Sequence, residues 1–98
     1  MNVGTILRAS WGYDQTNIDY FEVTKATANR VQIRPIAQRI TEADTDMSEW
    51  VEPIPGDYTG PAFSRKPLPW GDTEAVRITS GQYARIWAGK PDRQTHYA

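Results

Sequence analysis

Two stretches of strict apolar/polar alternation, each folded about a short turn, limit what this chain can become. In Ile18–Lys25, Phe21 and Val23 alternate with Tyr20, Glu22 and Thr24. In residues 30–36, Val31 and Ile33 alternate with Arg30, Gln32 and Arg34. A period of two is the signature of a strand with one buried face, and two such runs joined by Thr27-Ala28-Asn29-Arg30 predict a hairpin. Asn29 is the expected left-handed residue of that turn, and Pro35 is expected where a missing N–H is harmless. Residues 74–79 and 82–88 repeat the arrangement about Ser80-Gly81, with Val76, Ile78, Ala84 and Ile86 expected inward. Residues 3–9 supply a first strand, with Leu7, Ala9 and Trp11 on one face. No helix-period segment competes, and Pro53 and Pro55 break the one region with capping-box spacing, Asp46 to Glu49. These patterns predict an all-β fold, a small SH3-like barrel or sandwich of five to six strands.

At 98 residues the expectation is a single domain, residues 1–98, with one modest core. Four Trp side chains help a core this small to close. The absence of Cys removes disulfides, thiolate metal sites and thiol nucleophiles. Neither a signal peptide nor an apolar run of membrane-spanning length is read in the sequence, so a cytoplasmic protein is expected.

Charge is unevenly spread. Residues 40–64 hold six acids, Glu42, Asp44, Asp46, Glu49, Glu52 and Asp57, and no Lys or Arg. The remainder has all eleven bases against six acids. Residues 41–60 are expected to form one long irregular acidic loop, with a short extended piece near Trp50–Ile54. Such a loop is either simply solvated or a surface for a protein partner, with Glu49, Glu52 and Asp57 its contact residues. Imitation of a phosphate backbone is a further way it could act.

Ser10–Tyr20 (SWGYDQTNIDY) concentrates the most side-chain chemistry. Trp11 and Tyr20 are expected as structural anchors, and Tyr13, Asp14 and Gln15 as an exposed protein-contact surface. Catalysis is not the favoured reading. Ser10, Asp14 and His96 supply triad residue types without a strained nucleophile turn. Asp14, Asn17 and Asp19 lack a calcium-loop pattern, and a lone His excludes multi-histidine metal sites. The reading is therefore a non-enzyme without cofactor or metal; an unrecognised hydrolase ranks third. The alternative to protein binding is nucleic-acid binding on the last hairpin, where Arg77, Tyr83, Arg85 and Trp87 share a face and could interleave stacking with phosphate contacts. That face could equally pair two copies of the chain.

SWGYDQTNIDYFEV at 10–23, VQIRPI at 31–36 and ARIWAGKPDRQTHYA at 84–98 together resemble a family of small proteins of bacteriophages and other mobile elements. The resemblance spans nearly the whole chain and is most specific in the first loop and in the pattern WxGKPxxQTxYA. It implies a genomic setting and the cytoplasm of a host cell, and no mechanism. Because residues 89–98 belong to the pattern, this tail is expected to fold back, with Tyr97 docked on the body. The function expected is that of an accessory protein that binds a host or phage protein, with interference with a host protein as one way it could act.

Overall fold

The computed structural model describes residues 1–12, 15–45 and 47–95. Among them are nine strands and no helix: β1 (Ile6–Trp11), β2 (Asn17–Ala26), β3 (Val31–Thr45), β4 (Ser48–Tyr58), β5 (Phe63–Arg65), β6 (Leu68–Trp70), β7 (Thr73–Thr79), β8 (Gln82–Ile86) and β9 (Asp92–Thr95). They pair in the order β6-β7-β8-β1-β2-β3-β4-β9, with β5 added on β3. The antiparallel sheet curls into a half-barrel, so the chain has the small all-β, barrel-like fold that alternation predicts. The strand count exceeds five to six because β5, β6 and β9 are three or four residues long, too short for a period to show.

Two apolar clusters lie on opposite faces of this sheet. Leu7, Ala9, Phe21, Val23, Val31, Ile33, Val76 and Ala84 form the first; Ile18, Tyr20, Ile36 and Val51 form the second. β2 serves both, since successive side chains point to opposite faces: Phe21 and Val23 go to one and Ile18 and Tyr20 to the other. The first cluster is the barrel interior. Its seam lies between β5 and β7, because β6 pairs with β7 only as far as Ala75. There Arg65 donates from Nε to the Arg77 carbonyl (2.8 Å) and from Nη2 to that of Ile78 (3.2 Å), so one guanidinium stands in for ladder bonds.

The second cluster is closed by side chains. β3 leaves β2 after Ile36 to pair with β4, which would leave the Ile18 peptide unpaired. Two glutamine amides replace the missing strand. Gln94 Oε1 accepts from the Ile18 N–H (3.1 Å), Gln38 Nε2 donates to the Ile18 carbonyl (2.7 Å), and Gln94 Nε2 donates to Gln38 Oε1 (2.9 Å). Next to them the Thr95 N–H donates to the Thr16 carbonyl, and Thr95 Oγ1 accepts from the Thr16 N–H (2.8 Å). Buried polar groups left without partners cost about 1–3 kcal/mol each. Gln94→Ala is therefore expected to lower unfolding free energy by about 1–3 kcal/mol, with faster hydrogen exchange at the Ile18 amide as its local signature.

Three expectations are corrected. Residues 41–45 and 48–58 are not a loop: they complete β3 and form β4, paired from Gln38↔Pro53 to Thr45↔Ser48, and the extended piece expected near Trp50–Ile54 is the middle of β4. Pro53 and Pro55 are tolerated because this ladder is irregular, with five residues of β4 spanning the two-residue step from Ile36 to Gln38. Asn29 is not left-handed, as no non-glycine described residue has positive φ; Thr27 closes that turn through its N–H to the Arg30 carbonyl and its Oγ1 from the Arg30 N–H. Ile86, expected inward, is 41% exposed at the end of its strand. The one helical turn that the Asp46–Glu49 spacing allows is replaced by strand at Ser48 and Glu49; Asp46 itself, like His96, Tyr97 and Ala98 in the tail, lies outside the described residues.

Candidate functional site

The first loop is shorter than the Ser10–Tyr20 pattern suggests. β1 and β2 stay paired up to Trp11↔Asn17, leaving only residues 12–16 between them. Gly12 makes the turn with φ +129°. Asn17 Nδ2 donates to the Trp11 carbonyl and Gln15 Nε2 to Asn17 Oδ1, each at 3.3 Å, so the connection is partly self-bonded. Tyr13 and Asp14 lie outside the described residues. Tyr20 is an anchor, 1% exposed. Trp11 is not: half of it is exposed, because β1 runs past the end of the barrel interior. Its Nε1 donates to Asp19 Oδ2 at 2.7 Å.

The acidic residues are placed on the β3–β4 hairpin. Glu49 accepts from Gln94 Nε2 at 3.0 Å. Glu52 pairs with the Arg39 guanidinium across the ladder. Asp57 is exposed, between Gly56 and Tyr58, whose N–H and hydroxyl both donate to Glu22. Glu49 and Glu52 thus hold the hairpin together as well as charging it. Ser48 opposes Thr95 in the β4–β9 ladder, and Thr95 bonds Thr16 of the first loop. The two stretches expected to contact protein are therefore joined at one end of the molecule. Beyond Ile36 the side of β3 that faced β2 has no partner strand among the described residues, and Ile40 there is 61% exposed.

The Arg/aromatic face is only partly as expected. Arg77 and Tyr83 oppose each other on β7 and β8, and Arg85 is exposed beside them. Trp87 is separated from the group: it packs edge-on against Tyr20 at 6.3 Å and donates from Nε1 to the Lys90 carbonyl. Its place is taken by Trp70, which contacts Tyr83 at 5.7 Å and lies under the Arg85 guanidinium at 5.9 Å. The prolines around Trp70 masked its strand, yet proline is admissible at a sheet edge. A cleft of about 370 Å³ opens here, bounded by Arg8, Arg85, Trp70 and Asp92. Arg8 and Arg85 are directly opposite, a repulsive placement offset by Asp92, whose Oδ1 lies 3.1 Å from Arg8 Nε. That contact is ionic only, since Arg8 Nε makes no hydrogen bond. Asp92 Oδ2 accepts from the Tyr20 hydroxyl at 2.6 Å. Burial first, and then this bond to a carboxylate, push the Tyr20 phenol well above its ordinary pKa.

Among the described residues no group of three or more His, Cys, Asp or Glu side chains could hold a metal ion, and no helix is long and apolar enough to cross a membrane. No protein-family model, curated protein or solved structure matches the chain.

Proposed function

We propose that this chain is a non-enzymatic accessory protein that binds another protein by strand addition along the open edge of β3. The observation that supports this reading is the stretch 37–45, which among the described residues has a partner strand, β4, on one side and none on the other. An exposed edge is a template for another strand, and natural edges are blunted by Lys, Pro or bulges that twist them away. This stretch carries neither Lys nor Pro and exposes Ile40; its ladder with β4 bulges at Thr41 and at Asp44, which leaves Gln38–Ile40 as the regular part of the edge. Glu42 and its neighbouring acids favour an extended segment with basic residues. The resemblance to phage and mobile-element proteins sets this activity in a host cytoplasm, with a host or phage protein as partner.

The test uses the immobilised chain in host-cell extract. Ile40→Lys combined with Glu42→Lys is expected to reduce capture of the bound protein about tenfold, the equivalent of roughly 1.4 kcal/mol, while Arg85→Ala leaves it unchanged. Capture indifferent to the edge substitutions contradicts strand addition.

A second reading, single-stranded nucleic acid, is favoured by the convergence of Trp70, Arg85 and Arg8 at one cleft, with Tyr83 against the Trp70 ring beside it. Aromatic stacking with neutralised phosphate is how such faces hold bases. It predicts a rise in anisotropy of a labelled oligonucleotide at about 50 mM salt that falls steeply as salt increases and is lost in Trp70→Ala with Arg85→Ala. No rise at low salt ends it.

A further inference from the structure

The place where β3 parts from β2 is also a mouth of the barrel. A cavity of about 410 Å³ opens there, lined by Asp19, Gln82, Gln38, Thr59, Phe21 and Ile78 among others. Its size falls within the range of small-ligand sites, and barrel mouths are a usual place for them. The lining is mixed: Phe21 and Ile78 supply apolar wall, and Asp19, Gln82, Gln38 and Thr59 supply polar groups.

Asp19 carries the one charge among these six residues. Its Oδ2 accepts from Trp11 Nε1 (2.7 Å) and from Gln82 Nε2 (3.1 Å). Both donors are neutral and both fall on the same oxygen. No Lys or Arg among the described residues forms an ion pair with Asp19, and Oδ1 has no hydrogen-bond donor among them. A carboxylate clamped by two neutral donors, beside the apolar Phe21 and Ile78 and without a cation, is complementary to a positive group on an aliphatic stem.

We infer that this mouth is a binding site for an alkyl guanidinium or alkyl ammonium group, with Asp19 as counter-ion and Phe21 and Ile78 as the wall for its stem. The charged head supplies donors for Oδ1. Trp11 and Gln82 fix the carboxylate, so no side chain needs to be reoriented when the cation arrives. The same chemistry can come from a free amine or from an Arg or Lys side chain of a protein. Ala37, where the open edge of β3 begins, also lines the cavity, so a strand added to that edge would bring its side chains close to the mouth. Occupation of the cavity itself does not require that strand.

The test follows the Trp11 indole N–H and the Gln82 side-chain amide by NMR during titration with agmatine, n-pentylamine and the neutral, similarly shaped n-pentanol. The two cations are expected to give saturable shifts at both groups, n-pentanol none, and Asp19→Asn to weaken cation binding at least about tenfold. Asn keeps an acceptor for both donors, so the variant retains the clamp; the comparison of charged with neutral probe decides the point even where a variant is too unstable to use. A short Arg-containing peptide that binds about tenfold tighter than agmatine assigns the site to a protein side chain, and equal affinity assigns it to free amines. Equal shifts from n-pentanol and the cations, or no saturable shift up to about 10 mM probe, overturn the inference. Failure here with edge-dependent protein capture intact would leave strand addition standing.

Discussion

Tyr20→Ala is expected to cost about 3–5 kcal/mol of unfolding free energy, the range for removing a large buried aromatic, and to release β9 from the sheet. Tyr20 is 1% exposed and central to the second apolar cluster, where the edge of Trp87 meets its ring. Its hydroxyl hydrogen is shared between Asp92 Oδ2 at 2.6 Å and the Val51 carbonyl at 3.1 Å. One side chain thus ties β2 to β4 and to the start of β9. Tyr20→Phe separates the parts: the ring remains, and the loss is about 1–3 kcal/mol for acceptors deprived of a donor. Urea denaturation of the two variants gives both values. The same phenol sets an alkaline limit. Its folded pKa lies above the unfolded value of 10.0, so its contribution is complete below about pH 10. Above that pH the unfolded state releases the proton while the folded state holds it, and stability falls with rising pH. The slope from this group is at most about 1.4 kcal/mol per pH unit. Tyr58, partly withdrawn from water and bonded to Glu22, is shifted in the same direction. Stability measured from pH 8 to 11 should fall less steeply in Tyr20→Phe than in the parent.

Gly12→Ala is the second large effect. The Gly12 backbone has φ +129°, and a Cβ placed on it would lie 2.0 Å from the Gln15 carbonyl oxygen. A backbone atom cannot swing aside as a side-chain tip can. The strained φ costs about 1–3 kcal/mol and the overlap about as much again, for a total of roughly 2–6 kcal/mol. The end of the β1–β2 ladder, at Trp11↔Asn17, must give way to relieve it. The substitution should thus lower the urea midpoint and also change the environment of Trp11 and Asp19. Gly4, by contrast, has positive φ with no atom within 4 Å of an added Cβ, and Ala there is strained by its backbone alone.

The alternation of Phe21/Val23 and Val31/Ile33 made the central hairpin legible, as did Val76 and Ala84 for the last one. Of residues 40–45 and 48–58, only a short piece near Trp50–Ile54 was legible as extended. Their acids and prolines look like loop chemistry, and what makes them pair is tertiary: Glu49 is held by Gln94 and Glu52 by Arg39. Tyr20 could be read as an anchor, but not as facing a second cluster opposite the first, because periodicity does not say how many faces are covered. Trp11 was misjudged for a related reason: it has the parity of Leu7 and Ala9, yet it lies past the end of the core. Of the candidate sites, Arg77, Tyr83 and Arg85 do lie together. Trp70 joins them across the two-residue turn Gly71-Asp72 that pairs β6 with β7, while Trp87 turns to Tyr20. The cavity at Asp19 left no sequence signal, since its lining is drawn from strands far apart in the chain.

Hydrogen exchange across residues 37–58 tests most directly the claim that the acidic segment is an ordered hairpin with one open edge. The structure predicts protection at about every second amide from Gln38 to Ala43, where N–H groups face β4, fast exchange at the amides between them, and protection along Ser48–Val51, enclosed between β3 and β9. Uniformly fast exchange through residues 41–57, the behaviour of a solvated loop, would contradict it.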